Sequence, residues 1–164
     1  MSRIDYISVF GQALIGTGQP LDWDSTGMMQ AISIAQRSKC SRARNGCVLV
    51  KENRVVSHGY NGTLSGQPPC DHDNGSPCDK AVHAESNAVF WAAREGIAVK
   101  GSTAFTTTSP CRLCARALHQ SGVVRVVYLK TYRDPSGLDI LASVGVPSFQ
   151  LPIGKEIEKE FASE

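Results

Sequence analysis

Two short segments constrain this chain more than anything else in it. His83-Ala84-Glu85 and Pro110-Cys111-Arg112-Leu113-Cys114 supply one imidazole and two thiolates, the donor set of a three-ligand zinc site. Whatever the fold, it must bring these donors together across the 28 residues from His83 to Cys111. That interval is long enough for a helix, a turn and a strand, so each segment is expected to open a helix directly after a loop or strand. Cys111 and Cys114 are then one turn apart on one helix face, and a helix N-terminus favours thiolate over thiol. Catalytic zinc sites use three protein ligands and keep the fourth position for water, whereas structural sites close all four. Glu85, two residues from the imidazole and not needed as a ligand, is placed to take and return protons. Either piece alone is weak. An H-x-E is commonly a surface pair, and a P-C-x-x-C is equally a redox motif or half of a zinc ribbon. A ribbon wants a second C-x-x-C, which this chain lacks.

Around these segments the pattern reads as alternating elements. Residues 1–20 end in GTGQP and read as a short helix (Ile4, Ile7, Phe10, Leu14) followed by a linker. Met28, Met29, Ile32 and Ala35 fall at helical spacing between Asp24 and Ser38, with Asp24 or Ser25 as cap. Strands are predicted over Gly46–Val50 and Arg54–Tyr60, joined by Lys51-Glu52-Asn53. A Gly/Pro-rich segment from Asn61 to Lys80 reads as a long loop of the functional or stapled kind. Then follow a helix from His83 to Glu95, a strand Ser102–Thr107, a helix Cys111–Gln120 and a strand Val123–Leu129. A helix Ser136–Ser143, a strand Val146–Leu151 and a charged terminal helix Lys155–Ala162 complete the chain. A hairpin followed by αβαβαβ predicts an α/β fold of three layers, α/β/α, with a five-stranded mixed sheet. Residues 1–20 are expected to be an extension and 21–164 a single domain.

Composition removes several alternatives. A chain of 164 residues with 41% hydrophobic content suits one domain with a proper core. The net charge is +2 and no run of Lys and Arg forms a polyanion track, so long nucleic acid is not expected as a partner. No stretch of about 18 apolar residues is present to span a membrane, and the N-terminus does not read as a signal peptide. Six cysteines without a secretory segment point to metal ligation in a reducing compartment, hence a cytoplasmic protein.

The paired motifs, H-x-E followed by P-C-x-x-C, are the mark of zinc nucleobase deaminases. The chain resembles the cytidine deaminase superfamily and, within it, the deoxycytidylate (dCMP) deaminases, over roughly Trp23 to Leu151. The resemblance rests on SKCSR at 38–42, GYNG at 59–62, the Cys-bearing insert before VHAESNAV, TTTSPCRLCARAL at 106–118, SGVVRVVY at 121–128 and TYRDPSGLDIL at 131–141. It implies a cytidine deaminase-like fold that hydrolyses dCMP to dUMP and ammonia. His83, Cys111 and Cys114 would hold the catalytic zinc, and Glu85 would shuttle protons.

Other residues take roles from the resemblance alone. Asn61 matches the asparagine that hydrogen-bonds sugar or phosphate, although Asn-Gly is also an ordinary turn. Arg44 stands where some relatives carry a basic residue near the phosphate, with a solvated surface arginine as the alternative. Tyr132 and Arg133 begin a loop near the nucleotide, where Tyr132 would stack on the base or merely pack; Ala84 and Ser109 belong to the same substrate group. Cys40, Cys70 and Cys78 match positions that bind a second, structural zinc, with His72 in reach as a fourth ligand; reduced thiols are the alternative. Cys47 reads as a small core residue, and His58 and His119 as residues without a role. Three positions depart from the family pattern: Asn45 where Val is usual, Cys47 for a common Ala, and Ser86 where Met, Leu or Ala is usual. They bear on which nucleotide is taken more than on the reaction.

The resemblance further implies a homo-oligomer, often a hexamer, activated by dCTP and inhibited by dTTP. Rival readings are deamination of CMP, dCTP or a modified cytosine nucleotide, a polynucleotide base deaminase, and a non-catalytic zinc-binding domain.

Overall fold

The computed structural model describes residues 21–70 and 80–151. In chain order these form α1 (Trp23–Ala35), β1 (Gly46–Lys51), β2 (Arg54–Tyr60), α2 (Ala84–Arg94), β3 (Thr103–Thr108), α3 (Arg112–Gln120), β4 (Arg125–Lys130), α4 (Ser136–Ser143) and β5 (Ser148–Gln150). One sheet of five strands runs in the order β2-β1-β3-β4-β5. β1 pairs antiparallel with both β2 and β3, while β3, β4 and β5 run parallel. The sheet is therefore mixed, as expected. The hairpin closes on Glu52 and Asn53 at φ 51° and 61°, the left-handed pair of a two-residue turn whose twist suits flanking strands.

Alternation along the strands splits the core in two. Cys47, Leu49, Ala104 and Val126 face one side, packing with Ala88 and Ala92 of α2, Leu118 of α3 and Leu141 of α4. Val48, Phe105, Val127 and Leu129 face the other, against Met28, Ala31 and Ile32 of α1. The period-2 reversal of side chains makes both faces of the central strands apolar, so both must be covered. The result is the three-layer α/β/α arrangement that the sequence predicts. Cys47 is fully buried in this core, and His58 is exposed.

Boundaries differ in instructive ways. The cap of α1 is Asp22, whose carboxylate accepts from the Ser25 backbone N–H at 2.9 Å and from its hydroxyl at 2.7 Å. Asp24 is engaged elsewhere: Arg125 of β4 grips it with two nitrogens at 2.6 and 2.5 Å, tying α1 to the sheet. The helix also stops at Ala35 instead of Ser38, because the Ser38 hydroxyl donates to the carbonyl of Asn61 at 2.8 Å and draws the chain toward the β2 end. β5 has three residues where six were expected. The expected helices within 1–20 and 155–162 lie outside the described residues, as do His72 and Cys78.

Candidate metal centre

Both motif segments begin helices, and in both the first ligand stands at the cap. His83 caps α2 (φ −72°, ψ 156°) and Cys111 caps α3 (φ −68°, ψ 172°), each without a side-chain capping bond. Positions that usually hold Ser or Asp to satisfy the helix N–H groups are here given to metal donors. Cys114 follows on the first turn of α3 and is 1% exposed.

Two glycines let these helix starts approach the rest of the fold. A Cβ on Gly59 of β2 would stand 2.3 Å from the Ala84 carbonyl oxygen, so β2 lies directly against the first turn of α2. A Cβ on Gly137 of α4 would stand 1.9 Å from the Pro110 carbonyl oxygen and 2.9 Å from the Cys111 carbonyl carbon. The obstructing atoms are backbone, which cannot swing aside. Gly137→Ala is therefore expected to destabilise the protein by about 1–3 kcal/mol, the range for overpacking, and to lower zinc retention with it. Thermal melting and zinc content after dialysis check this; a variant unchanged in both would show that α4 does not hold Cys111 in place.

His83 Nδ1 lies 3.4 Å from the Cys111 sulfur and 3.5 Å from the Cys114 sulfur. All three donor atoms fall within 4.8 Å of one another. A tetrahedral zinc with bonds of about 2.05 Å to nitrogen and 2.3 Å to sulfur sets a nitrogen–sulfur edge of about 3.6 Å. The two nitrogen–sulfur distances thus already match edges of a zinc tetrahedron. The thiols are poised as well. A hydrogen bond from Cys114 holds the Cys111 thiol down at about 3, while the same bond and burial push Cys114 far up. Zinc takes both sulfurs as thiolates, so its binding would release the protons they carry. The Ser86 hydroxyl lies 3.6 Å from the Cys114 sulfur, within donating reach of it.

Glu85 is buried in the first turn of α2. Burial raises its carboxyl above the usual range; its own backbone N–H and the nearby His83 pull it back, and the Cys111 thiolate raises it again. A carboxyl whose hold on a proton is strengthened by burial suits a group that receives and returns one.

These residues open onto a cleft of 160 Å³. His83, Ala84, Glu85 and Cys111 line it, together with Asn61, Ser109 and Tyr132. Asn61 also works as a brace: its side-chain oxygen accepts the Asn45 N–H at 2.8 Å and its nitrogen donates to the Ala43 carbonyl at 2.9 Å. Ser109 likewise accepts the Tyr132 backbone N–H at 2.8 Å, holding that loop to the wall. Arg44 is exposed and is not among the lining residues; Arg42 and Arg133 are. The sequence offers both Arg42 and Arg44 as basic residues of one loop, and Arg42 is the one that lines the cleft. Of the expected second metal site, Cys40 is buried at the cleft and Cys70 is half-buried.

Residues 21–130 match the family model described as the cytidine and deoxycytidylate deaminase zinc-binding region. The deoxycytidylate deaminase of Enterobacteria phage T2 is 31% identical, over 85% of this chain and 98% of that one. Deoxycytidylate deaminase of Saccharomyces cerevisiae is 36% identical, over 82% of this chain and 46% of that one. Among solved structures, the dCMP deaminase of cyanophage S-TIM5 in complex with dCMP and dUMP superposes with a TM-score of 0.76 at 33% identity, covering 81% of this chain and 99% of that one.

Proposed function

The chain belongs to the cytidine and deoxycytidylate deaminase family, and on that premise we propose that it hydrolyses dCMP and water to dUMP and ammonia. The observation that carries the reading is a zinc-spaced triad beside a buried carboxylate in one cleft. Zinc, when held by His83, Cys111 and Cys114, supplies Lewis acidity that brings a water's pKa toward neutrality. The chain's own residues do the rest. Glu85 takes the proton of the attacking water, passes it to the cytosine ring nitrogen, and delivers the second proton to the departing amine. Burial keeps bulk water from competing for that carboxylate. Ala84, Ser109 and Asn61 shape the wall on which the nucleotide rests, and Tyr132 offers its ring to the base.

The 5′-phosphate needs positive charge at the mouth, and Arg42 and Arg133 supply it. Arg133→Ala is expected to raise the KM for dCMP about tenfold with little change in kcat, as for one lost hydrogen bond to a charged group. Arg44→Ala is expected to leave both within twofold. Steady-state kinetics on dCMP decide between them, and a larger effect at Arg44 would return the phosphate site to that residue.

A second, structural zinc on Cys40, Cys70, His72 and Cys78 is proposed from the resemblance: three thiols and an imidazole would close a four-ligand site and staple the 61–80 loop beside the cleft. A cytoplasmic homo-oligomer, hexameric in the family's usual manner and answering to dCTP and dTTP, is proposed from the resemblance; no described helix is long and apolar enough to cross a membrane. Ammonia release from dCMP, CMP, dCTP and deoxycytidine, each with and without dCTP or dTTP, tests the whole reading. Turnover chiefly of dCMP supports it, and inertness toward all four by zinc-loaded protein sinks it.

A further inference from the structure

Asn45 stands just ahead of β1 and lines the same cleft as Glu85, yet nothing above gives its side chain a task. Its surroundings fix it closely. The backbone N–H donates to the Asn61 side-chain oxygen at 2.8 Å, and the carbonyl accepts the Asn61 N–H at 3.1 Å. The side-chain oxygen accepts the Thr108 hydroxyl at 2.8 Å, with the Thr107 hydroxyl at 3.5 Å. The Thr107 hydroxyl also accepts the Gly46 N–H at 3.1 Å, which leaves its own proton available to the Asn45 oxygen. The oxygen is thus the end of the amide that faces the threonines. The oxygen is held, and the NH₂ points the other way. No hydrogen bond to that nitrogen exists among the described residues, although Asn45 is half-buried and the NH₂ carries two donors.

We propose that Asn45 is a specificity-determining residue of the cleft, its NH₂ donating to an oxygen acceptor of the bound pyrimidine nucleotide. This rests on the deaminase reading and extends it. The chemistry offered is a neutral, preoriented donor with its acceptor side already consumed. It selects for a ligand oxygen that only accepts, or that turns its lone pair to the site. Two oxygens of a deoxycytidine nucleotide fit: the ring carbonyl and the 3′-hydroxyl. A donor left facing an apolar or donor group pays its full desolvation, which is how such positions reject near-analogues.

The test separates recognition from mere support of the threonines. Asn45→Ala removes both functions; Asn45→Asp keeps an acceptor for the two hydroxyls and removes the donor. With dCMP, both variants are expected to lose about ten- to a hundredfold in kcat/KM, while the Asp variant melts like the parent protein. The substrate arms locate the acceptor. The Asn45→Ala penalty is expected to vanish on the 3′-deoxy nucleotide if the hydroxyl is the partner. If the ring carbonyl is the partner, it vanishes instead in inhibition by an analogue lacking that carbonyl. A penalty undiminished on both analogues overturns the proposal, as does an Asp variant equal to the parent on dCMP. Parent protein inert toward every cytosine nucleotide is a different failure, that of the deaminase reading itself, and leaves Asn45 with nothing to recognise.

Discussion

Glu85→Gln is expected to cut kcat by about 10²–10⁴-fold, the usual contribution of a positioned acid–base group, with zinc content unchanged and the melting temperature no lower. The argument turns on what the carboxylate is for. It is not among the donors: the imidazole and the two sulfurs already stand at tetrahedral spacing without it. It is buried in the first turn of α2, where leaving a carboxyl costs stability unless it has a use. The amide is nearly the same size and still accepts hydrogen bonds, including that of its own backbone N–H, so the helix start is undisturbed. What it cannot do is hold a proton and release it. A zinc-binding domain without catalysis would register no change in any function on this substitution. Metal analysis alongside ammonia release tells the two apart: an active Gln variant would end the proton-shuttle assignment, and an inactive variant stripped of metal would show instead that Glu85 supports the ligands.

The site was legible in the sequence where chemistry is local and illegible where it depends on bracing. His83 and Cys111 were read as helix starts and stand at the caps, one residue earlier than the helices themselves, and α4 was bounded correctly by Pro135 and the apolar residues after it. The three layers followed from strands whose two faces are both apolar, as they are in β1, β3 and β4. Asp22 was missed as a cap because Asp24 looks equally suitable until Arg125, a hundred and one residues away, claims it. The path of the 43–45 backbone was equally out of reach: Asn61 clamps it across a separation of 16–18 residues, and no periodicity reports that. Gly59 and Gly137 read as an ordinary motif residue and a helix residue; their role as contact points for the two ligand segments exists only in three dimensions.

Cys114→Ser is expected to reduce bound zinc by one ion per chain and to bring deamination to background. The reasoning begins with burial. Cys114 is the most enclosed of the three donors, and a serine there offers a hard, protonated oxygen where zinc takes a thiolate. With the metal gone, Glu85 and Cys111 share the cleft with only His83 to offset their charge. The variant should therefore lose stability as well as activity. A ligand present at a thousand times its Kd stabilises the folded state by about 4 kcal/mol, and most of that should disappear from the melt. Counting ions separates this centre from the proposed second one. Chelation of the parent protein removes every zinc, whereas the serine variant removes only the ion shared by α2 and α3. If the variant still binds one zinc, that ion resides with Cys40 and its neighbours; if it binds none, the chain has a single metal centre and the loop at 61–80 is held by other means. A serine variant that keeps the parent's full zinc content and activity would place the catalytic metal elsewhere in the molecule.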